Sequence, residues 1–451
     1  MAKTEKTIKN SASEQKGITR LSVSGFKSIS QEQSIEIRPL TILAGTNSSG
    51  KSSMMQPLLL LKQTLEASYD PGALLLDGPN VRFTSTNQLL SHATKTRQTV
   101  SFQVGINVDS KFLSTKFKKD PQKGFDVEQS SYASGGKEIT FYQGMTTQDL
   151  LPLTLRFGNL VTKDIELSVV RSRCFLYPVL NFLAGINFVS IFNSTISASL
   201  NLFLPNMGDG LDPIISQLIH LPGLRGNPER TYPVTAFGAA FPGTFQNYVA
   251  SVITQWQVNK SQKELDELSQ SLRTLNLTWK VVAKPINDTQ VELQVGRLPQ
   301  PSKAGASDMV SIADVGVGVS QTLPVLVALQ VAKPGQLVYI EQPEIHLHPR
   351  AQTAMAQVLA NAARRGVRVV AETHSSLLIL GIQTLVAEGK LAPELVKLHW
   401  FERRNGRTEV TSRDLDEAGA FGDWPEDFAD VMLEAESRYL DAAEARLKKA
   451  S

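Results

Sequence analysis

The stretch GTNSSGKSS, Gly45 to Ser53, holds residue types that bind phosphate. Gly45 and Gly50 let the backbone curl so that successive N–H groups converge on an anion. A helix beginning near Lys51 would aim its positive end at the same point. Lys51 would reach the outer phosphates of a nucleoside triphosphate, and the Ser52 hydroxyl would sit on Mg²⁺. Asn47, Ser48, Ser49 and Ser53 complete the cradle. A plain Ser/Gly loop has a similar composition, so the flanking elements decide between the two.

Those elements have the required order. Ile18 to Val23 and Ser34 to Ile37 alternate apolar and polar residues as half-buried strands do. Leu40 to Ala44 is an apolar run feeding Gly45, and MMQPLLLLKQTLEAS after Ser53 reads as a helix despite Pro57. A phosphate cradle also needs a carboxylate at the end of a neighbouring strand. The best candidate is distant: Leu337 to Ile340 is an apolar strand ending in Glu341. After Pro349 the segment RAQTAMAQVLANAARRG is helical and closed by Gly366. VRVVAETHSS is then a second apolar strand with His374 at its end. Strand, helix and strand imply a right-handed crossover and a parallel sheet, so Gly45 and Glu341 should share one sheet with about 290 residues threaded between them.

That arrangement resembles the ABC-class ATPases, in their SMC-like and OLD-like branch. GTNSSGKSS resembles their Walker A segment, LVYIEQPE their Walker B, and ETHSS their switch-histidine strand end. Val317 to Gln321 lies where their signature loop would be. The narrower series DVGVGVSQTLPVL, IEQPEIHLHPRAQ and ETHS resembles a group of bacterial standalone ATPases. The resemblance covers residues 17–60 and roughly 215–430. It implies an α/β fold: an ABC-type P-loop head with a mixed sheet flanked by helices and an antiparallel β lobe. It implies ATP and Mg²⁺ as ligands. Lys51 and Ser52 would hold phosphate and Mg²⁺, Glu341 would be the Walker B acid on the Mg²⁺ side, and His374 would contact the γ-phosphate. Gly318, Ser320 and Gln321 would meet the γ-phosphate held by a second copy, so a head-to-head dimer or higher oligomer is implied.

Two departures bear on chemistry. The catalytic glutamate of the class follows the Walker B acid, and here that position is Gln342. A glutamine can orient a water but cannot take its proton at neutral pH. Either Glu344 serves instead or hydrolysis is slow, which favours a long-lived ATP-bound switch. The signature reads V-G-V-S-Q; Ser320 could cap the helix from Gln321 onward and aim its N-terminus at phosphate.

The inserted region is less specific. TVSFQVGINV and KEITFYQGM alternate like strands. Between them Lys111, Lys116, Lys118, Lys119 and Lys123 surround Phe112 and Phe117, either as a solvated hairpin loop or as a nucleic-acid contact. Cys174 to Gly208 has no charged residue and reads as a buried or oligomer-interface segment; Pro178, Asn181 and Asn187 speak against a membrane span. Lys260 to Leu277 is one amphipathic helix, and no heptad run long enough for an SMC coiled coil is present. Arg225 and Arg230 read as structural, pairing with acids at a lobe junction, with contact to phosphates or a partner as the alternative. His346 and His348 lack a third metal ligand nearby. Gln88 is a candidate for the glutamine loop of the class. KLHWFERRNGRTEVTS reads as a hairpin turning at Asn405.

The boundaries that follow are a disordered tail over 1–16, the first part of the head over 17–98, the β lobe and insert over 99–300, the second part of the head over 301–414, and a C-terminal helix over 415–451. The 451 residues carry a formal net charge of +3 and one cysteine, Cys174, which excludes a disulfide framework and a cysteine-rich zinc site. The absence of an apolar leader fits a cytoplasmic setting. The functional expectation is an ATP-gated switch or sensor controlling a partner effector protein, such as a nuclease, in anti-phage defence. The alternative is an SMC-like ATPase that binds DNA in repair or maintenance. Contact with a membrane is not expected.

Overall fold

The computed structural model describes residues 17–92, 99–150, 152, 165–182, 211–300, 308–422 and 437–438. In chain order, the first part comprises β1 (Ile18–Ser24), β2 (Gln33–Glu36), β3 (Leu40–Gly45) and α1 (Lys51–Glu66). Four long strands follow, β4 (Ser101–Val108), β5 (Lys111–Asp120), β6 (Gly124–Ser134) and β7 (Lys137–Tyr142), then the single turn α2 (Thr147–Leu150) and the pair β8 (Ile165–Ser172) and β9 (Phe175–Phe182). Next come α3 (Leu211–Ser216), β10 (Ile219–Leu221), β11 (Tyr232–Pro233), α4 (Val249–Val258), α5 (Gln262–Thr274), β12 (Val281–Pro285), β13 (Gln290–Gly296) and β14 (Met309–Ser311). The last part is α6 (Val317–Val331), β15 (Leu337–Glu341), α7 (Pro349–Arg364), β16 (Arg368–Glu372), α8 (Ser376–Ala387), β17 (Val396–Arg404) and β18 (Arg407–Arg413).

The central sheet has the order β10-β15-β16-β3-β17-β18. Its first five strands are parallel and β18 closes the edge antiparallel. Both faces are covered, which explains the unbroken apolar runs in β3, β15 and β16. On one face Ile42, Ala44, Val338, Ile340, Val369 and Ala371 pack with residues of α6, α7 and α8. On the other, Leu43, Leu337, Tyr339, Val370 and Phe401 pack with Met54, Leu58 and Leu61 of α1. The same cluster takes in Leu21, Phe102 and Phe117 of the antiparallel sheet β2-β1-β4-β5-β6-β7. Helix α1 is therefore enclosed between the two sheets. The fold is a mixed α/β head with an antiparallel β lobe. Among the described residues no helix exceeds 16 residues, and none is long and apolar enough to cross a membrane.

Several expectations change in three dimensions. The lysine-rich stretch is a central strand, β5. Phe117 is fully buried and stacks on Phe102, because alternate residues of a strand face opposite sides. Lys116 and Lys118 share Glu128, and Lys119 donates to the Asn87 side chain. Of the uncharged segment, Phe175 to Phe182 is half of an antiparallel ladder in which Pro178 faces Val169; residues 183–208 lie outside the described residues. The tail over 1–16 lies outside them; of the helix expected over 415–451, residues 415–422 form no helix, and 423–436 and 439–451 also lie outside the described residues. The Asn405–Gly406 turn forms as expected, both residues taking positive φ between β17 and β18.

His399 ties the two sheets together. It is fully buried on β17; its Nε2 donates to the Glu36 carbonyl at 2.8 Å, and its Nδ1 accepts from the Ser412 hydroxyl at 2.8 Å. Burial outweighs the Glu36 contact and pulls the imidazole down to about 4. Between pH 6.5 and 4 the unfolded chain therefore binds a proton that the folded chain refuses, so stability falls as pH falls. This one group should remove about 2 kcal/mol between pH 7 and pH 5. Urea unfolding at the two pH values checks it: His399→Gln should lose that component of the pH slope, and an unchanged slope would refute the assignment.

Candidate functional site

The loop after β3 owes its shape to three residues with positive φ, Gly45, Ser48 and Gly50. The two glycines are also required by close approach. A Cβ at Gly45 would stand 2.2 Å from the Phe401 carbonyl oxygen of β17, and one at Gly50 would stand 2.2 Å from Oγ1 of Thr408 on β18. Thr408 Oγ1 holds the loop from outside, 2.7 Å from the Ser49 carbonyl and 2.8 Å from Ser28 Oγ. Gly50 is the N-cap of α1 and supplies no side-chain cap, so the first N–H groups of the helix remain open to an anion.

Lys51 is only 3% exposed. Its ammonium folds back on the loop, donating to the carbonyls of Gly45 at 3.0 Å and Thr46 at 2.8 Å. Burial lowers its pKa, and the Glu372 carboxylate partly opposes that. The Ser52 hydroxyl lies 3.0 and 2.9 Å from the two carboxylate oxygens of Glu372. Lys51, Ser52, Glu372 and His374 border one cavity of about 500 Å³, with Ser48, Ser49, Gly50 and Ser53 on its wall. Asn47 is exposed and does not line it. His374 sits beside Gly45 and Lys51; burial and the Lys51 charge lower its pKa, and the Gly45 backbone opposes them. Gln88 also lines the cavity, its amide bonded back to Thr84.

The acid in contact with Ser52 is thus Glu372, and Glu341, the acid that the sequence singles out on the Mg²⁺ side, stands one strand further away. The strand order explains the difference: β16 lies between β3 and β15, so the end of β16 is the nearer one. Glu341 and Glu372 are register partners across β15 and β16. Glu341 has its own holders, His220 Nε2 at 3.3 Å and the Gly223 N–H at 3.1 Å. Burial raises its pKa, but His220, Gly223 and Arg225 together outweigh that and the net direction is down. Burial and the facing Glu341 raise Glu372. His220 is buried by stacking flat on Tyr339 and is fixed from behind by Asn80. Sequence reading passed over Glu372 because nothing in AETHSS marks which alternate residue faces α1; the missed signal was the carboxylate two positions before the histidine.

The remaining expected residues separate. Gln342 turns the chain with φ of 47°, and its N–H donates to the Glu372 carbonyl at 2.7 Å. Glu344 is buried and raised by burial; its Oε1 accepts from Thr373 Oγ1 at 2.7 Å and from the His374 N–H at 3.2 Å. It props the strand end that carries His374. Gly318 and Ser320 occupy the first turn of α6, outside this cavity. Ser320 does not cap the helix: Gly316 is the N-cap, and Ser320 Oγ donates to the Val317 carbonyl inside the first turn. Gln321 is buried, with Nε2 donating to the Gly226 carbonyl and Oε1 accepting from the Arg225 N–H. His348 caps α7 by accepting from the Arg350 N–H. Among the described residues no group of three His, Cys, Asp or Glu side chains is placed to hold a metal. Mg²⁺ does not need one, since it binds one or two carboxylates together with phosphate oxygens. The hard oxygen of Ser52, backed by the Glu372 carboxylate, suits it.

Residues 297–380 match a family described as "AAA domain, putative AbiEii toxin, Type IV TA system". No curated protein matches the chain. Among solved structures, an SmcHead bound to the C-winged helix domain of ScpA is 15% identical, with 89% of this chain and 99% of that chain covered and a TM-score of 0.48. An SMC head domain from Thermotoga maritima is 12% identical, covering 88% and 98% with a TM-score of 0.39. An Smc head domain derived from Pyrococcus furiosus, with an extended coiled coil and bound to a ScpA domain, is 12% identical, covering 95% and 99% with a TM-score of 0.44.

Arg225 joins the segments around the site. Its guanidinium donates to the carbonyls of Glu341 at 2.7 Å, Gln342 at 3.3 Å and Gln321 at 3.2 Å. Its partners are backbone carbonyls, where acids were expected; Arg230 does pair with an acid, Asp314, at 2.8 Å. Burial lowers Arg225 to about 10, so it stays charged at neutral pH. Arg225→Met should cost about 2–4 kcal/mol, because it removes three charge-assisted hydrogen bonds from a buried junction. Arg225→Lys should recover less than half, since an ammonium lacks the planar fork. Chemical denaturation measures both, and a loss under 1 kcal/mol for the Met variant would show the contacts to be incidental.

Proposed function

We propose that the protein is an ATPase that binds ATP with Mg²⁺, closes head to head with a second copy, and relays that state to a partner effector protein such as a nuclease. The observation that carries this is the convergence of Lys51, Ser52, Glu372 and His374 on one cavity at the open N-terminus of α1. A nucleotide's β- and γ-phosphates would draw the Lys51 ammonium off the loop carbonyls. The α1 N–H groups would hold the same oxygens, and His374 would lie beside the terminal phosphate. Mg²⁺, when bound, would neutralise part of the phosphate charge.

Turnover should be slow. Gln342 cannot take a proton, and Glu344 is buried outside the cavity lining, with its Oε1 held by Thr373 and the His374 N–H. A slow hydrolase suits a switch better than a motor. Dimer formation is supported by the first turn of α6, where Val317 is 47% exposed next to Gly316 and Gly318. A role beside a toxin-like effector in anti-phage defence is compatible with the description of the family matched over 297–380.

Binding of a fluorescent ATP analogue tests the site. Lys51→Ala should weaken it at least tenfold, and equal affinity in the two proteins would refute the proposal. Analytical ultracentrifugation tests the assembly. ATP should convert monomer to dimer, and Val317→Arg should block that conversion while leaving nucleotide binding within threefold.

A further inference from the structure

We propose that Glu372, and not Glu341, is the carboxylate that sets the Ser52 hydroxyl for its divalent cation, while Glu341 holds the loop beside it. This deepens the function proposed above and rests on it. A serine oxygen that coordinates a cation gives it a lone pair, so its proton must point elsewhere. The acceptor for that proton is Glu372, with both carboxylate oxygens within 3.0 Å of Ser52 Oγ. With the Ser52 O–H directed at Glu372, the oxygen's lone pairs are left for a cation in the cavity.

Glu372 is itself held in place. The Tyr339 hydroxyl, on a fully buried ring, donates to its Oε2 at 2.9 Å. Glu372 lines the cavity and Glu341 does not, although the two are partners in register. The Glu341 carboxylate is taken by His220 and the Gly223 N–H, and its carbonyl by Arg225. The loop at Gly223 to Gly226 in turn holds Gln321 of α6, so Glu341 works on the frame around the site. Glu372 is a positioning residue that acts through Ser52, and outer partners of this kind typically carry a ten- to hundredfold share of metal affinity.

The test is the Mg²⁺ dependence of binding of a fluorescent ATP analogue, which separates cation positioning from the phosphate cradle. Glu372→Gln should raise the Mg²⁺ concentration for half-maximal tightening about tenfold or more. Its affinity in EDTA should be no weaker than that of the unaltered protein, since removing a carboxylate from the cavity leaves Lys51 and the α1 N–H groups for phosphate, which also shows that it folds. Tyr339→Phe should shift the same midpoint in the same direction by about threefold, and Glu372→Asp should restore part of the loss. Glu341→Gln should leave the midpoint within threefold. A midpoint that moves in Glu341→Gln and stays put in both Glu372→Gln and Tyr339→Phe overturns the inference while leaving the nucleotide site intact. No nucleotide binding by the unaltered protein overturns the proposed function, and this inference with it.

Discussion

The hydrogen bond between Ser52 and Glu372 joins the first turn of α1 to the end of β16 across 320 positions of sequence. Everything around the site is arranged so that this contact can form. Loop-closure entropy rises only with the logarithm of loop length, so so long an insertion between the two halves costs little more than a short one. What must be supplied is a rigid frame, and the parallel sheet supplies it. Strand β16 hydrogen-bonds to β3 on one side and β15 on the other, which fixes the height of Glu372 against Leu43 and Glu341.

That frame encloses a connected set of buried polar groups. Ser52, Glu372 and Tyr339 form one connected group. The Tyr339 ring stacks on His220, which reaches Glu341 on one side and Asn80 on the other. The turn around Asn80 is held by Gln63 of α1, whose Oε1 accepts from the N–H groups of Asn80 and Val81. The chain of contacts thus starts on α1 at Ser52 and returns to α1 at Gln63, one face of the helix holding both ends. Polar groups in a low-dielectric interior stabilise a single arrangement when their partners are in place and are costly when they are not. Lys62 and Glu66, paired within the same helix and reaching the backbone at Phe241 and Gly243, extend this to the opposite end of α1.

The antiparallel lobe stiffens the loop that the head must present. Thr408 on the β17–β18 hairpin holds the glycine-rich loop at the Ser49 carbonyl, Ser28 on the β1–β2 connection backs Thr408, and His399 fastens β17 to the end of β2. Gly45 and Gly50 accept that close packing because they have no Cβ to clash with Phe401 and Thr408. A loop held on both sides keeps its N–H groups aimed, so little rearrangement is required when an anion arrives.

Local pattern alone determined a good deal here. The order strand, glycine loop, helix at Leu40 to Glu66, the strand–helix–strand unit from Leu337 to Glu372 and the hairpin at Asn405 were all readable, because each depends on periodicity, capping and turn residues within a few positions. The lysine-rich stretch misled because its charges are conspicuous, while its membership of a sheet depends on partners on β4 and β6 that no local pattern names. Which carboxylate meets Ser52, which loop holds Gln321 and where Arg225 finds its carbonyls were decided only in three dimensions. Strand order and the facing of alternate side chains are properties of the assembled sheet, and two acids at equivalent strand ends look alike until their neighbours are in place.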